Sequence, residues 1–208
     1  MVNPNDDAEI HRIVQRVVNQ VIGHSQPAAA PAPVAAPASA PVAPKADVVP
    51  GPEVSSGGGK TVAIGCDHGG YDLKEILKAY VAELGFDVKD MGAYNKGPVD
   101  YPDFAHEVAK LVGAGKAWRG IMIDGAGIGS CIVANKVPGV RAGMAYDLSS
   151  ANNSREHNDT NVLTLGAGLI GVNLAKQIVK VWLTTEFSGG RHQPRIDKVT
   201  AVEKQYLK

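Results

Sequence analysis

The chain has 208 residues, 21 basic and 21 acidic, and a formal net charge of zero. That balance excludes association driven by bulk charge, either with nucleic acid or with an anionic membrane surface. No apolar run approaches the roughly 20 residues that span a bilayer. The acidic, polar start is not a secretory leader. Two cysteines, Cys66 and Cys131, without CxxC or metal-ligand spacing, fit a reducing cytoplasm better than a disulfide framework.

Residues 5–22 repeat apolar side chains at Ile10, Ile13, Val14, Val17, Val18, Val21 and Ile22. This is the spacing of one helical face. Asn5 suits the N-cap, Asp6, Asp7 and Glu9 suit the first turn, and Gly23 ends the helix. Residues 24–59 follow with eight prolines, from Pro27 to Pro52, set mostly among alanines, and close on Ser55-Ser-Gly-Gly-Gly59. Such a composition buries no core and reads as an extended, flexible linker. The helix ahead of it therefore has no folded neighbour of its own, and its apolar stripe needs a partner. Its polar face mixes Arg with Glu and Asp and lacks an aromatic anchor, which argues against a membrane.

Residues 60–208 carry the globular pattern. Strand-like runs lie at Thr61–Cys66, Phe86–Met91, Gly120–Ile123, Val140–Tyr146 and Val162–Leu165. Helical patterns separate them at Tyr71–Leu84, Phe104–Ala114, Ile128–Lys136, Ser149–His157 and Ile170–Thr184, with a final helix or tail over 194–207. The alternation predicts an α/β fold, a parallel sheet with helices on both faces. In such folds ligands sit outside the carboxyl ends of the strands. Cys66-Asp-His-Gly-Gly70, Asp124–Ser130 and Asp147 all fall there.

The run Ile121-Met-Ile-Asp-Gly-Ala-Gly-Ile-Gly-Ser130 reads as a buried strand, a glycine turn and a helix start. Its glycines let backbone amides approach an anion closely, and Asp124 stands at the lip. A proton-removing site that then holds an oxyanion would use both. The dinucleotide fingerprint is a poor match, because its third glycine position is Ser130 and the turn follows the third strand. Asp67 and His68 could contact a substrate, or equally serve as a helix cap and a surface histidine. His157, in Ser154-Arg-Glu-His-Asn-Asp159, could work as an acid or base near neutral pH. Arg191 and Arg195, beside His192, could grip a phosphate with their guanidinium forks, or form an exposed basic tail.

Taken together and in order, Gly65-Cys-Asp-His-Gly-Gly70, Asp100-Tyr-Pro102, the glycine turn with Ala134-Asn-Lys-x-Pro-Gly-x-Arg141, Ser154–Asp159 and Gly189-Gly-Arg-His-x-x-Arg195 resemble the type-B ribose-5-phosphate isomerases. These lie within the ribose/galactose-phosphate isomerase family. The resemblance spans residues 60 to about 203. It implies a Rossmann-like three-layer sandwich with a five-stranded parallel sheet. It also implies a metal-free and cofactor-free aldose–ketose isomerase, working through a cis-enediolate, in dimers or tetramers with sites shared between subunits. By the family pattern, His157 would assist ring opening with Asp67 near the ring oxygen. Gly125, Ala126, Gly127, Gly129, Ser130 and Asn158 would hold the enediolate. His68 and Tyr101 would line the pocket, and Arg191 and Arg195 would bind the phosphate.

The chain departs from that pattern at several places. Many members carry a catalytic cysteine at the position of Asp124, and others a glutamate at the position of Ser130. Asp124 is therefore the expected base, with Cys131 as its substitute. Ala126 stands where the family has a hydroxyl residue. Gly168 stands where an arginine is frequent, which leaves the phosphate to Arg191, Arg195 and Arg141. Pocket depth is not legible, so allose or galactose 6-phosphate stands beside ribose 5-phosphate, and a catalytically silent sugar-phosphate-binding scaffold is the alternative. The N-terminal helix on its linker resembles the encapsulation peptides of bacterial microcompartments, which bind shell or cargo proteins. Neither nucleic acid nor membrane is an expected partner.

Overall fold

The computed structural model describes residues 60–206 and, in the N-terminal segment, Arg12, Val14 and Arg16, which are helical and exposed. The remainder of the expected helix over 5–22 and the linker over 24–59 lie outside the described residues.

Residues 60–206 form five strands and six α-helices, with a short 3-10 turn at Gly190–His192. In chain order they are β1 (Thr61–Cys66), α1 (Tyr71–Glu83), β2 (Asp87–Asp90), α2 (Tyr101–Gly113), β3 (Arg119–Asp124), α3 (Ile128–Ala134), β4 (Ala142–Met144), α4 (Leu148–Glu156), β5 (Val162–Gly166), α5 (Val172–Thr184) and α6 (Gln193–Tyr206). Every strand pairing is parallel, in the order β2-β1-β3-β5-β4. The expected parallel α/β sandwich is present. Most boundaries shift by one or two residues, and two elements differ by more. Strand β4 is three residues rather than seven. Helix α2 starts at Tyr101, because Pro102 fits the first helical turn, where its missing N–H is not needed.

Alternate residues of the central strands feed two cores. Val62, Ile64, Cys66, Ile121 and Ile123 face α1, α4 and α5, together with Leu77, Ile178 and Trp182. Ala63 and Met122 face α2 and α3, with Val108 and Val112. Burial on both faces explains why β1 and β3 read as continuous apolar runs rather than alternating ones. No described helix is long and apolar enough to cross a membrane.

The charged side chains buried in this frame have hydrogen-bond partners, whereas the Thr164 hydroxyl on β5 has none among the described residues. The Lys74 ammonium, fully buried, donates to both oxygens of Asp90 at 2.8 and 2.9 Å and to the Ala93 carbonyl at 2.9 Å. Lys78 adds a bond to Asp90 at 2.8 Å. Arg119, at the start of β3, donates to the carbonyls of Trp182 and Leu183 at 2.6 and 3.0 Å, which closes the carboxyl end of α5. Its guanidinium lies 4.0 Å from the Trp118 ring.

The Asp90 cluster has a pH signature. Burial pushes the Asp90 carboxyl upward, but hydrogen bonds from Lys74, Lys78 and the Gly92 amide outweigh it and hold the group below the ordinary carboxylate range. A depressed carboxyl contributes stability that is complete above its unfolded value near 4 and is lost as pH falls through the folded value. Thermal melts are therefore expected to drop as pH is lowered below about 4, with a shallower slope in Asp90→Asn.

Candidate active site

The strand order reverses direction between β1 and β3, and the crevice at their carboxyl ends is where a ligand belongs in such sheets. The Asp67 amide donates to the Ile123 carbonyl at 3.1 Å, so the two strand ends are tied together there. Asp67 is 9 % exposed, and its Oδ1 accepts from the Gly70 amide at 2.9 Å. His68 is exposed, with its Nδ1 3.1 Å from the Val99 carbonyl oxygen and 3.3 Å from the Val99 amide nitrogen. That contact ties it to the loop before α2. Tyr101 opens α2 and lays its ring over Gly129, where an added Cβ would fall 2.5 Å from the phenol ring. Asp67, His68, Tyr101 and the glycine turn thus meet at one end of the sheet.

The turn itself is filled from within. Asp124 is 5 % exposed. Its Oδ1 accepts from the amides of Ala126, at 2.8 Å, and Gly127. Its Oδ2 accepts from the Ser130 amide at 3.1 Å and from the Ser130 hydroxyl. Gly127 has φ +80°, a conformation that favours glycine and turns its N–H toward the carboxylate. Three of the expected oxyanion donors, at Ala126, Gly127 and Ser130, are therefore already bonded to Asp124. Ser130 is fully buried and does not face the crevice. The turn amides with no acceptor among the described residues include those of Gly125 and Gly129.

The second group of expected residues lies elsewhere. Helix α4 leaves the carboxyl end of β4 and runs back, so His157 arrives at the amino ends of the strands. Nearby Asn161 exchanges hydrogen bonds with Arg141 and Gly120, at the starts of β4 and β3. The His157 ring stacks on His192, with centroids 4.2 Å apart and planes 9° apart. Arg191 donates through Nε to His192 Nε2 at 3.3 Å, and Arg191 and Arg195 are exposed. Loss of solvation, then His157 and the two arginines, hold His192 below its ordinary value. Asn158 is exposed and lines a hollow of about 290 Å³ with Arg141, Ser154, Thr160, Ile196 and Val199. Arg141 is itself paired with Asp159 at 2.7 Å. The length of β5, five residues at about 3.3 Å each, separates this cluster from the glycine turn by roughly 15 Å. One copy of the chain does not bring the two groups together.

His192 was not among the expected site residues. The signal was present in its place between Arg191 and Arg195, but its stacking on His157 required the fold. Neither cysteine is poised for chemistry. Burial pushes the Cys66 thiol up to about 11 and also raises Cys131, whose Sγ faces the Ala142 carbonyl at 3.5 Å. Thiols in that state react slowly, since the thiolate is the nucleophile. Iodoacetamide at pH 7.5 is expected to leave both unmodified in the folded protein, by intact mass, and to label both after denaturation. Among the described residues no set of three or more His, Cys, Asp or Glu converges as metal ligands.

The sequence matches the Ribose/Galactose Isomerase family over residues 62–199. The chain belongs to that family. With it, the chain belongs to the aldose–ketose isomerases acting on sugar phosphates. It is 44% identical to ribose-5-phosphate isomerase B of Escherichia coli over 146 residues, covering 70% of this chain and 98% of the relative. It is 42% identical to D-erythrulose-4-phosphate isomerase of Pectobacterium atrosepticum over 147 residues, covering 70% and 96%. Among solved structures, ribose-5-phosphate isomerase B of Clostridium thermocellum superposes with a TM-score of 0.69 at 46% identity, covering 70% of this chain and 99% of that one. The family's domain is thus matched nearly end to end by residues from about 60 onward, and the N-terminal segment is additional to it.

Proposed function

We propose that the chain interconverts ribose 5-phosphate and ribulose 5-phosphate through a cis-enediolate, in a site built by two copies. The observation that carries this reading is the division of the motif residues into two clusters at opposite ends of one sheet. Asp67, His68, Tyr101 and the open amides of Gly125 and Gly129 offer a carboxylate and N–H donors, the equipment for enolisation. His157, Asn158, Arg191, Arg195 and His192 offer a titratable ring and two guanidinium groups, the equipment for ring opening and for holding a phosphate. A two-fold pair brings one cluster of each copy to the other, twice. Apolar side chains ring the carboxyl ends of the strands, with Ile128 51 %, Leu148 40 %, Leu169 60 % and Val172 40 % exposed. Such a patch beside a site suits a second copy.

The test is direct. Purified protein is supplied with ribose 5-phosphate, and ribulose 5-phosphate is measured against allose 6-phosphate and galactose 6-phosphate as competitors. Turnover of a six-carbon substrate alone moves the preference to the larger sugars. Binding without turnover of any of them supports a silent scaffold.

The N-terminal segment supports a second part of the reading, packaging as microcompartment cargo inside the cytoplasm. The sequence over 5–22 repeats apolar residues at helical spacing and lies outside the family's domain, and the Pro/Ala-rich composition of 24–59 is that of an extended linker. Residues 1–23 fused to a fluorescent protein are expected to form puncta only in cells that express a shell. Diffuse fluorescence in shell-bearing cells overturns it.

A further inference from the structure

The two aspartates at the crevice differ in what remains open on them. A carboxylate offers about four acceptor positions, and Asp124 has four donors on it, all from its own turn. A proton arriving from carbon would have to displace one of them. Asp67 is committed through Oδ1 alone, to the Gly70 amide, and its Oδ2 accepts from no donor among the described residues. A methyl placed on Gly69 would fall 3.4 Å from Asp67 Oδ1, 4.0 Å from Oδ2 and 3.9 Å from the Gly125 nitrogen. One point beside Gly69 therefore lies within 4 Å of both the Asp67 carboxylate and the Gly125 amide nitrogen. Nothing lies within 4 Å of where a Gly125 side chain would begin, so the crevice beside that residue is open. Enolisation requires this pairing, a base at the carbon and a donor at the neighbouring oxygen.

We infer that Asp67 is the base that carries the proton between C1 and C2, and that Asp124 is a positioning residue. Asp124 is the turn's own resident anion, holding Ala126, Gly127 and Ser130 and leaving the Gly125 amide without an acceptor among the described residues. This assignment rests on the isomerase reading above. From the ketose, Asp67 removes one hydrogen of C1 as a proton. The C1–H electron pair forms the C1=C2 bond, and the carbonyl π pair moves onto O2, where the Gly125 amide donates to it. The O1 proton then passes to O2, an O1 lone pair forms the new C1 carbonyl, and the C1=C2 pair takes the proton back from Asp67 at C2. No oxidant, metal or second reactant enters the balance.

The experiment starts from ribulose 5-phosphate in deuterium oxide. Its O5 is esterified and cannot close a ring onto C2, so proton loss at C1 is read without any ring opening. Deuterium entry at C1, followed by NMR, is expected to fall about a thousandfold in Asp67→Asn and to return in part when formate is added to Asp67→Gly. In Asp124→Asn it is expected to stay within about tenfold of wild type while the melting temperature falls. Exchange near the wild-type rate in Asp67→Asn, with loss only of the aldose-to-ketose direction, overturns the assignment in favour of a ring-opening role. So does an Asp124→Asn protein that melts normally and no longer exchanges. If Asp124→Asn does not fold, Ser130→Ala decides. Freeing one acceptor position speeds exchange if Asp124 is the base, and slows it or leaves it unchanged if Asp124 positions the turn. A wild-type protein that neither exchanges nor turns over ribulose 5-phosphate removes the isomerase reading itself, which is a different failure.

Discussion

Asp67→Asn and His157→Asn, each nearly inactive when expressed alone, are expected to recover about a quarter of the wild-type activity when co-expressed, because random two-fold pairing makes half the dimers mixed and each mixed dimer keeps one intact site. The expectation follows from where the two residues lie. Asp67 closes β1 at the carboxyl end of the sheet, whereas His157 ends α4 at the amino end, beside the start of β5. If both residues served one site within one copy, every chain in the mixture would carry a defect and activity would stay absent. Differently tagged chains, purified through both tags, isolate the mixed dimer. Its specific activity should be about half that of wild type by the same counting. An inactive mixed dimer would refute the shared site.

The second large effect is at Gly70. An added Cβ there would fall 2.4 Å from the Ile123 carbonyl oxygen and 2.8 Å from its carbon. Both are backbone atoms of a fully buried strand, so neither can turn aside as a side-chain tip could. The same residue's amide is the donor that fixes Asp67. Gly70→Ala is expected to cost about 3 kcal/mol, or roughly 10 °C in melting temperature for a domain of this size, and to lose activity even below its melting point. Gly171→Ala is the control. Its Cβ would meet nothing within 4 Å at a φ of −77°, and its melting temperature should stay within about 2 °C.

Much of the architecture was legible because β1, β3 and β5 are buried on both faces and are largely apolar, with Arg119 and Asp124 at the ends of β3 and Thr164 within β5, while α2 and α5 carry one-sided patterns. The start of α2 was not legible, since its first residues, Tyr101 and Pro102, interrupt the apolar pattern and join the helix through proline's fit to the first turn. The role of Arg119 is not legible in the sequence either. Its partners are carbonyls 63 and 64 residues away, and no spacing rule connects them. The glycine turn shows the limit most clearly. The sequence of Asp124–Ser130 suggests an anion cradle with a carboxylate at its lip, and in the structure that carboxylate accepts from the turn's own amides. What sequence spacing does not settle is whether the carboxylate points out to a ligand or back into the turn. The left-handed backbone of Gly127 helps turn it inward.

In the proposed two-copy site, the separation of the two clusters by the height of the sheet would make concentration itself a variable of activity. A site completed by a second copy disappears on dilution by mass action, so rate per chain should decline below the dissociation constant of the pair. A tether that gathers many copies into a small volume raises their effective concentration without changing a single contact in the crevice. Under the proposed packaging, the N-terminal segment and the two-copy site would have a common logic, in which confinement keeps the halves together.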